Sequence, residues 1–332
     1  MKRREGFYWQ SGGMNTIDSP YRWCFLGSGY FAREVLEELY YADFVPDLVV
    51  TTPDKPAGRG RKATPNPVKD FILSTGIDLL EVEKINDAET YNTLKGKRFD
   101  FFVVCDFGKI LKEPFLTVAR FPTLNIHPSL LPLYRGPAPI ERALMDGVEV
   151  TGVTIIEMTM EVDAGPVVWA KEVPVSKDDT KGTLLEKLAR VVPEMLKKVF
   201  EGYLMNTISR RSQSGIPTYA PKISKDELFI VWNQSAVKIF NHVRALSPIP
   251  GARSFLEGEL VKIFKVEVAE PLFSLAPGEI RILSNRLFVG TGDGILEIVE
   301  LQPAGRRIML AKDFVAGRKI NGKFFGSKEV LK

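Results

Sequence analysis

The sequence is poor in the residues that metal centres and disulfide frameworks require. Its 332 residues include two cysteines, Cys24 and Cys105, and two histidines, His127 and His242. The cysteines lie far apart, each inside an apolar stretch, so they read as core thiols of a reducing, cytoplasmic compartment rather than as a bridge. Zinc of the Cys/His type is nearly excluded and no metal is expected, although carboxylate-bound magnesium stays open on this count. No apolar run approaches the roughly 20 residues of a membrane helix. The basic, polar start from Met1 to Ser19 lacks the apolar segment of a secretory signal, so no membrane partner is expected. Met14 lies within it, which marks residues 1–13 as a dispensable extension or a misassigned start. Gly 27 and Pro 22 are too few for collagen-like or low-complexity classes.

What is present describes a soluble chain of two domains. Hydrophobic residues make up 45% and charged residues 26%, enough for a buried core in each domain. The net charge of +4 is unevenly placed: residues 1–205 hold 26 basic and 29 acidic side chains, and residues 206–332 hold 19 and 12, so the second part carries +7. That imbalance fits either a polyanion-binding half or ordinary surface lysines.

Trp23-Cys24-Phe25-Leu26 reads as a strand running into Gly27-Ser28-Gly29 and an amphipathic helix with Phe31, Val35, Leu36 and Leu39 on one face. Further strands are expected at Leu48-Val49-Val50, Phe101–Val104, Thr123–His127, Val153–Ile156 and Val167–Ala170. Helices are expected around Ile140–Met145 and from about Thr183 to Phe200. Strands alternating with helices predict an α/β, Rossmann-like, doubly wound, mostly parallel sheet. The stretch from Pro53 to Lys62 is too rich in Pro and Gly for an inner strand or helix and reads as an exposed basic loop. Past a polar linker and a helix at Ala236–Ala245, short strands at Leu260–Val268, Glu279–Leu283, Leu287–Gly290 and Ile295–Leu301 predict a small β-barrel. The expected organisation is an N-terminal extension (1–20), a catalytic domain (21–205), a linker (206–225) and a barrel domain (226–332).

Two places invite chemistry. Gly27-Ser28-Gly29-Tyr30-Phe31-Ala32 matches the dinucleotide pattern G-x-G-x-x-A, but Thr51 and Thr52 stand where the second strand should end in an acid. A tight strand-to-helix turn explains it better. Asn125-Ile126-His127-Pro128 is sharper. Strand alternation points Asn125 and His127 to one side, and Pro128 ends the strand, which places both at its carboxyl end, where α/β sheets bind ligands. An amide and an imidazole side by side supply an oxyanion donor and a proton carrier. A structural histidine beside a turn asparagine explains the isolated motif as well. Leu130 and Leu131 then adjoin prolines in a loop, where a flat aromatic ligand would cover them. Asp163, in the turn Asp163-Ala164-Gly165, can orient the imidazole. With no G-x-S-x-G and no reactive cysteine, a covalent acyl-enzyme is not expected.

Asn125-Ile126-His127-Pro128-Ser129-Leu130-Leu131-Pro132, with Tyr134-Arg135-Gly136, Thr151–Thr154 and Asp163-Ala164-Gly165, resembles the 10-formyltetrahydrofolate-dependent formyltransferases. The segments Thr52–Lys62, Tyr219–Ile223, Gly292–Ile295 and Leu301–Gly305 resemble the branch whose acceptor is methionine esterified to initiator tRNA. The likeness spans residues 21–318. It implies a Rossmann-like domain followed by an OB-like β-barrel, and transfer of a formyl group from 10-formyltetrahydrofolate, as co-substrate, to the methionine α-amino group in translation initiation. It implies Asn125, His127 and Asp163 as catalytic, and Ser129, Leu130, Leu131, Pro132, Phe107 and Gly108 at the folate. Lys55, Arg59, Arg61, Lys62, Arg210 and Arg211 would meet the methionyl-initiator tRNA. Nothing in the sequence demands more than a monomer. Three positions depart from the family: Asp106 and Phe107 replace a small residue and a tyrosine before Gly108, and Gly29 replaces a common proline.

Three other readings remain at this stage. A formyltransferase for an amino sugar nucleotide would share the trio, but leaves the Lys55–Lys62 loop without a use. An NAD-dependent oxidoreductase leaves the trio unexplained. A plain RNA-binding protein would bind tRNA without folate turnover.

Overall fold

The computed structural model describes residues 21–57, 62–270, 273–318 and 320–326. In chain order the first domain contains β1 (Trp23–Leu26), α1 (Tyr30–Tyr41), β2 (Leu48–Thr51), the small hairpin β3 (Lys55–Ala57) and β4 (Lys62–Thr64), α2 (Pro67–Ile72), β5 (Leu79–Glu81), α3 (Ala88–Gly96), β6 (Phe101–Val104), α4 (Glu113–Leu116), β7 (Leu124–His127), α5 (Pro139–Asp146), β8 (Val150–Glu157), β9 (Val167–Pro174), α6 (Lys181–Arg190) and α7 (Val192–Leu204). The second contains α8 (Ala236–Leu246), β10 (Ala252–Leu256), β11 (Glu259–Ala269), β12 (Ile280–Leu283), β13 (Arg286–Gly290), β14 (Ile295–Pro303), β15 (Met309–Leu310), α9 (Ala311–Val315) and β16 (Phe325–Gly326).

The first sheet runs β5-β2-β1-β6-β7-β8-β9, parallel from β5 to β7 and antiparallel at β8 and β9. It is covered on both faces, as the apolar strands require. Trp23 and Phe25 of β1 enter a core shared with α1, α6 and α7, and the alternate Cys24 and Leu26 enter a core on the other face with Leu94 of α3 and Phe115 of α4. Both cysteines are buried and free, and burial pushes both thiols up. The single helix expected at 183–200 is two helices. Pro193 has no N–H for the Ala189 carbonyl, so α6 ends at Arg190 and α7 starts afresh at Val192, with Val191 capping both.

The second sheet is antiparallel throughout, in the order β12-β13-β14-β11-β10-β16 with β15 on β14. Its ends meet: Ile280 N donates to Lys323 O (2.9 Å), and Phe325 N to Gly278 O (2.8 Å). The expected OB-like barrel is therefore present, with α8 packed on it. The Gly292-Asp293-Gly294 turn serves α8, since Asp293 Oδ1 accepts from Ala236 N at 2.8 Å in its first turn.

The domains are packed together. α8 lies on α5, Met145 touches both cores, and Arg244 Nη1 donates to Ser176 O (3.1 Å). The expected linker is ordered backbone. Arg211 and Val167 exchange hydrogen bonds (2.8 and 2.9 Å), and Arg135 exchanges them with the 218–220 segment (2.9 and 2.7 Å). Among the described residues no helix is long and apolar enough to cross a membrane.

Candidate active site

Asn125 and His127 are alternate residues of β7, so both side chains leave the sheet on one side. Pro128 ends the strand. The loop between β8 and β9 brings Asp163 against them in a left-handed conformation (φ 53°). Asp163 Oδ1 accepts from Asn125 Nδ2 at 3.2 Å, Oδ2 accepts from Gly136 N at 2.8 Å, and His127 Nδ1 lies 3.6 Å from Oδ2. The structure thus brings together the three residues singled out in the sequence. The His127 side chain is 5% exposed and that of Asp163 is 11% exposed, so water does little to weaken their interaction.

The far side of the imidazole is fixed as well. His127 Nε2 is 2.9 Å from Tyr134 O. A carbonyl oxygen only accepts, which assigns a proton to Nε2 and leaves Nδ1 as the nitrogen facing Asp163. Asn125 spends one amide hydrogen on Asp163, and its second is free for a ligand.

The loop after β7 is held by Thr154, buried on β8. Its Oγ1 donates to Ser129 O (2.7 Å) and accepts from Leu131 N (3.1 Å). Ser129 Oγ donates to Leu133 O, and Leu130 packs over Gly152 of β8. Leu131 and Pro132 are half-buried. Gly136 is required here: its φ is 117°, and a β-carbon would meet Ala220 O at 2.9 Å.

Phe107 and Gly108 follow β6, the strand beside β7. The Phe107 ring is buried in the core, so its backbone is what it can offer a ligand, and Ser28 Oγ already donates to its carbonyl (2.7 Å). Asp106 lies over the glycine turn. Its carbonyl accepts from Ser28 N and Gly29 N, and its Oδ2 accepts from Phe31 N (3.2 Å). Although the residue keeps solvent contact, protein packed around the carboxylate raises its pKa to about 6; the Phe31 N–H lowers it, Glu141 raises it and Lys181 lowers it. A carboxylate therefore sits where a dinucleotide fold receives a pyrophosphate, at the N-terminus of α1. At the end of β2, Thr51 Oγ1 donates to Asn66 Oδ1 instead of an acid meeting a ribose. Both observations weigh against the dinucleotide reading.

Arg210 and Arg211 are both exposed, and Arg210 is bound to Glu157 and lies over the Tyr203 ring. Arg59 and Arg61 lie outside the described residues, as do the side chains of Lys55 and Lys62. Sequence reasoning missed Gln213. Its Nε2 donates to Asp163 O (2.7 Å) and Gly165 O (2.9 Å), and its Oε1 accepts from Arg135 Nε and Nη2 (3.1 and 2.8 Å). A lone glutamine in a polar linker carries no pattern that signals this. Among the described residues no group of three His, Cys, Asp or Glu side chains is placed to hold a metal ion.

The family models for "Formyl transferase" and "Formyl transferase, C-terminal domain" match residues 22–200 and 222–319. The methionyl-tRNA formyltransferase of Thermodesulfovibrio yellowstonii is 42% identical over 90% of this chain and 96% of its own. That of Dictyoglomus thermophilum is 38% identical over 90% and 97%. In fold, the chain is similar to HypX from Aquifex aeolicus in complex with tetrahydrofolic acid (TM-score 0.64, 20% identity, 92% of this chain and 51% of that one). It is also similar to WlaRD, a sugar 3N-formyl transferase (TM-score 0.58, 19% identity, 86% and 99%). With both domain models matched in order and relatives alike along nine-tenths of its length, the chain belongs to the formyl transferase family and is a formyltransferase.

Proposed function

We propose that this formyltransferase moves the formyl group of 10-formyltetrahydrofolate to the α-amino group of methionine esterified to initiator tRNA, with Asn125, His127 and Asp163 as its catalytic residues. The observation that carries the reading is the hydrogen-bonded cluster of these three side chains at the carboxyl end of β7. Relatives named for this reaction, similar over nearly their whole length, support the acceptor. A structural neighbour bound to tetrahydrofolic acid supports a folate donor. The folate loop is Ser129 to Pro132 with the backbone of Phe107 and Gly108. The basic segment with Lys55, Arg59, Arg61 and Lys62 and the exposed Arg211 meet the RNA. Arg210, 47% exposed, meets it as well, with part of its charge spent on Glu157. Catalysis belongs to 21–205, and the barrel from 226 onward carries the tRNA, joined by 206–225.

The chemistry follows from the geometry. The attacking amine must be neutral, and a free α-amino group titrates at about 7.7–8.0, so little help is needed to deprotonate it. Its nitrogen bonds to the formyl carbon and the carbonyl oxygen becomes an oxyanion. The second Asn125 amide hydrogen and a proton on His127 Nδ1 stabilise that charge. As the bond from the formyl carbon to the folate nitrogen breaks, the Nδ1 proton passes to that nitrogen, and Nδ1 then takes up the proton lost by the amine. Asp163 holds the ring and balances its charge whenever both ring nitrogens are protonated.

The test offers labelled 10-formyltetrahydrofolate with methionyl-initiator tRNA, methionyl-elongator tRNA and an amino sugar nucleotide in parallel. Label on the initiator tRNA alone is expected. Label on the sugar nucleotide, or on no acceptor, overturns the assignment.

A further inference from the structure

We propose that Gln213, in the segment joining the two domains, is a positioning residue for Asp163. This rests on the reading of Asn125, His127 and Asp163 as the catalytic centre. Asp163 adopts a left-handed backbone (φ 53°) that L-residues disfavour, so something must hold it there. Its side chain is engaged by Asn125 and Gly136. Its backbone is held by Gln213, whose amide nitrogen donates to the carbonyls of both Asp163 (2.7 Å) and Gly165 (2.9 Å) and so spans the turn. The same carboxamide receives the Arg135 guanidinium on its oxygen, and Arg135 reaches Glu161 within the same loop at 3.3 Å.

Only a carboxamide satisfies this arrangement, because it presents two donors toward two carbonyls and an acceptor toward a cation. Gln213 is itself located by the chain on either side. Arg211 pairs with Val167, just beyond the Asp163 turn, and Thr218 and Ala220 pair with Arg135 next to Gly136. The interdomain segment thus grips the loop that carries the catalytic carboxylate. Displacement of that segment would reach Asp163 through its backbone.

The experiment compares Gln213→Ala, Gln213→Glu and Gln213→Met with the wild-type full chain. Glutamate keeps the acceptor for Arg135 but places an oxygen against two carbonyl oxygens, whereas methionine keeps the volume and removes every polar contact. All three are expected to lower kcat about 10–100-fold, the scale of a misplaced catalytic group, with KM for donor and tRNA changed less than about threefold. A second readout needs no turnover. The chain has two histidines, so imidazole nitrogen NMR of histidine-labelled protein resolves His127 and keeps His242 as an internal control. The His127 resonances should move in each variant and those of His242 should stay. Wild-type kcat in Gln213→Glu, a loss confined to KM, or an unmoved His127 spectrum in a folded variant overturns the proposal. A wild-type chain that formylates no acceptor fails the reaction assignment instead, and the His127 spectrum still decides the role of Gln213.

Discussion

A β-carbon at Gly29 would lie 1.8 Å from Oδ2 of Asp106. Glycine at 29 and aspartate at 106 therefore depend on one another. The carboxylate occupies the space a larger residue at 29 would fill and binds Phe31 N there. Gly29→Ala should push the Asp106 carboxylate off Phe31 N and destabilise the chain by about 0.5–1.5 kcal/mol, the scale of one hydrogen bond. Combined with Asp106→Ala it should cost little beyond Asp106→Ala alone. Urea melts of the wild type, both single variants and the double variant measure this coupling, and simple additivity would refute it.

Acid should act on two groups in opposite directions. The protein packed around it pushes the Asp106 carboxyl up to about 6, above its unfolded value of about 3.9, so its charge opposes folding above pH 6 and that cost fades between about pH 6 and pH 4. Asp106→Asn should raise the unfolding midpoint at pH 8 and leave it nearly unchanged at pH 3.5. His242 is the reverse case. Burial lowers its folded pKa and its Nε2 has no partner, so stability is lost as pH drops below the unfolded value of about 6.5. Replacing His242 by leucine should flatten the melting profile between pH 7 and 5. Equal shifts at both pH values for Asp106→Asn, or an unaltered profile for the leucine variant, would contradict these assignments.

Thr154→Val keeps the shape of a buried side chain and removes its hydroxyl. Ser129 O loses a donor and Leu131 N an acceptor, at about 1–3 kcal/mol for a buried group left unpaired. Because these two bonds hold the Ser129–Pro132 loop, KM for the folate should rise more than KM for the tRNA. Steady-state kinetics with each substrate varied in turn tests this, and equal changes in both constants would argue against a folate loop.

Removing the oxyanion donor with Asn125→Ala should cut turnover about 100–1000-fold, or roughly 3–4 kcal/mol. Single-turnover rates with saturating donor isolate that step, and near-normal turnover would dismiss Asn125 from the chemistry.

If the 53–62 loop touches RNA phosphates, Arg59→Ala should reduce the slope of log binding constant against log salt by about 1. Filter binding of methionyl-tRNA at several salt concentrations measures it. A slope equal to that of the wild type would make the loop an ordinary solvated turn.

The trio was legible because each part leaves a local trace. The alternation of Asn125 and His127 sets their common side, Pro128 ends the strand, and Asp163 precedes a glycine in a turn. The alternating strands and helices revealed the first sheet, and the spaced short strands revealed the barrel. What stayed hidden depends on contacts distant in sequence. The Arg211 and Ala220 backbones pair with the first domain, and backbone pairing leaves no side-chain signature in a polar segment. Gln213 acts through three partners on two loops. The break before Pro193 was masked because apolar residues keep the helical rhythm through it.

The chain between Ser214 and Pro217 is surface-exposed, with Ile216 showing 85% of its area to solvent, yet the residues on both flanks are tied to the first domain. The peptide thread there is consequently not what unites the two halves. Met145 beneath α8 and the bond from Arg244 to Ser176 form a seam that would keep them in register even if that thread were severed. Any ligand that spanned the barrel and the Asn125, His127 and Asp163 cluster would find the two at a separation set by that seam rather than by the length of a leash.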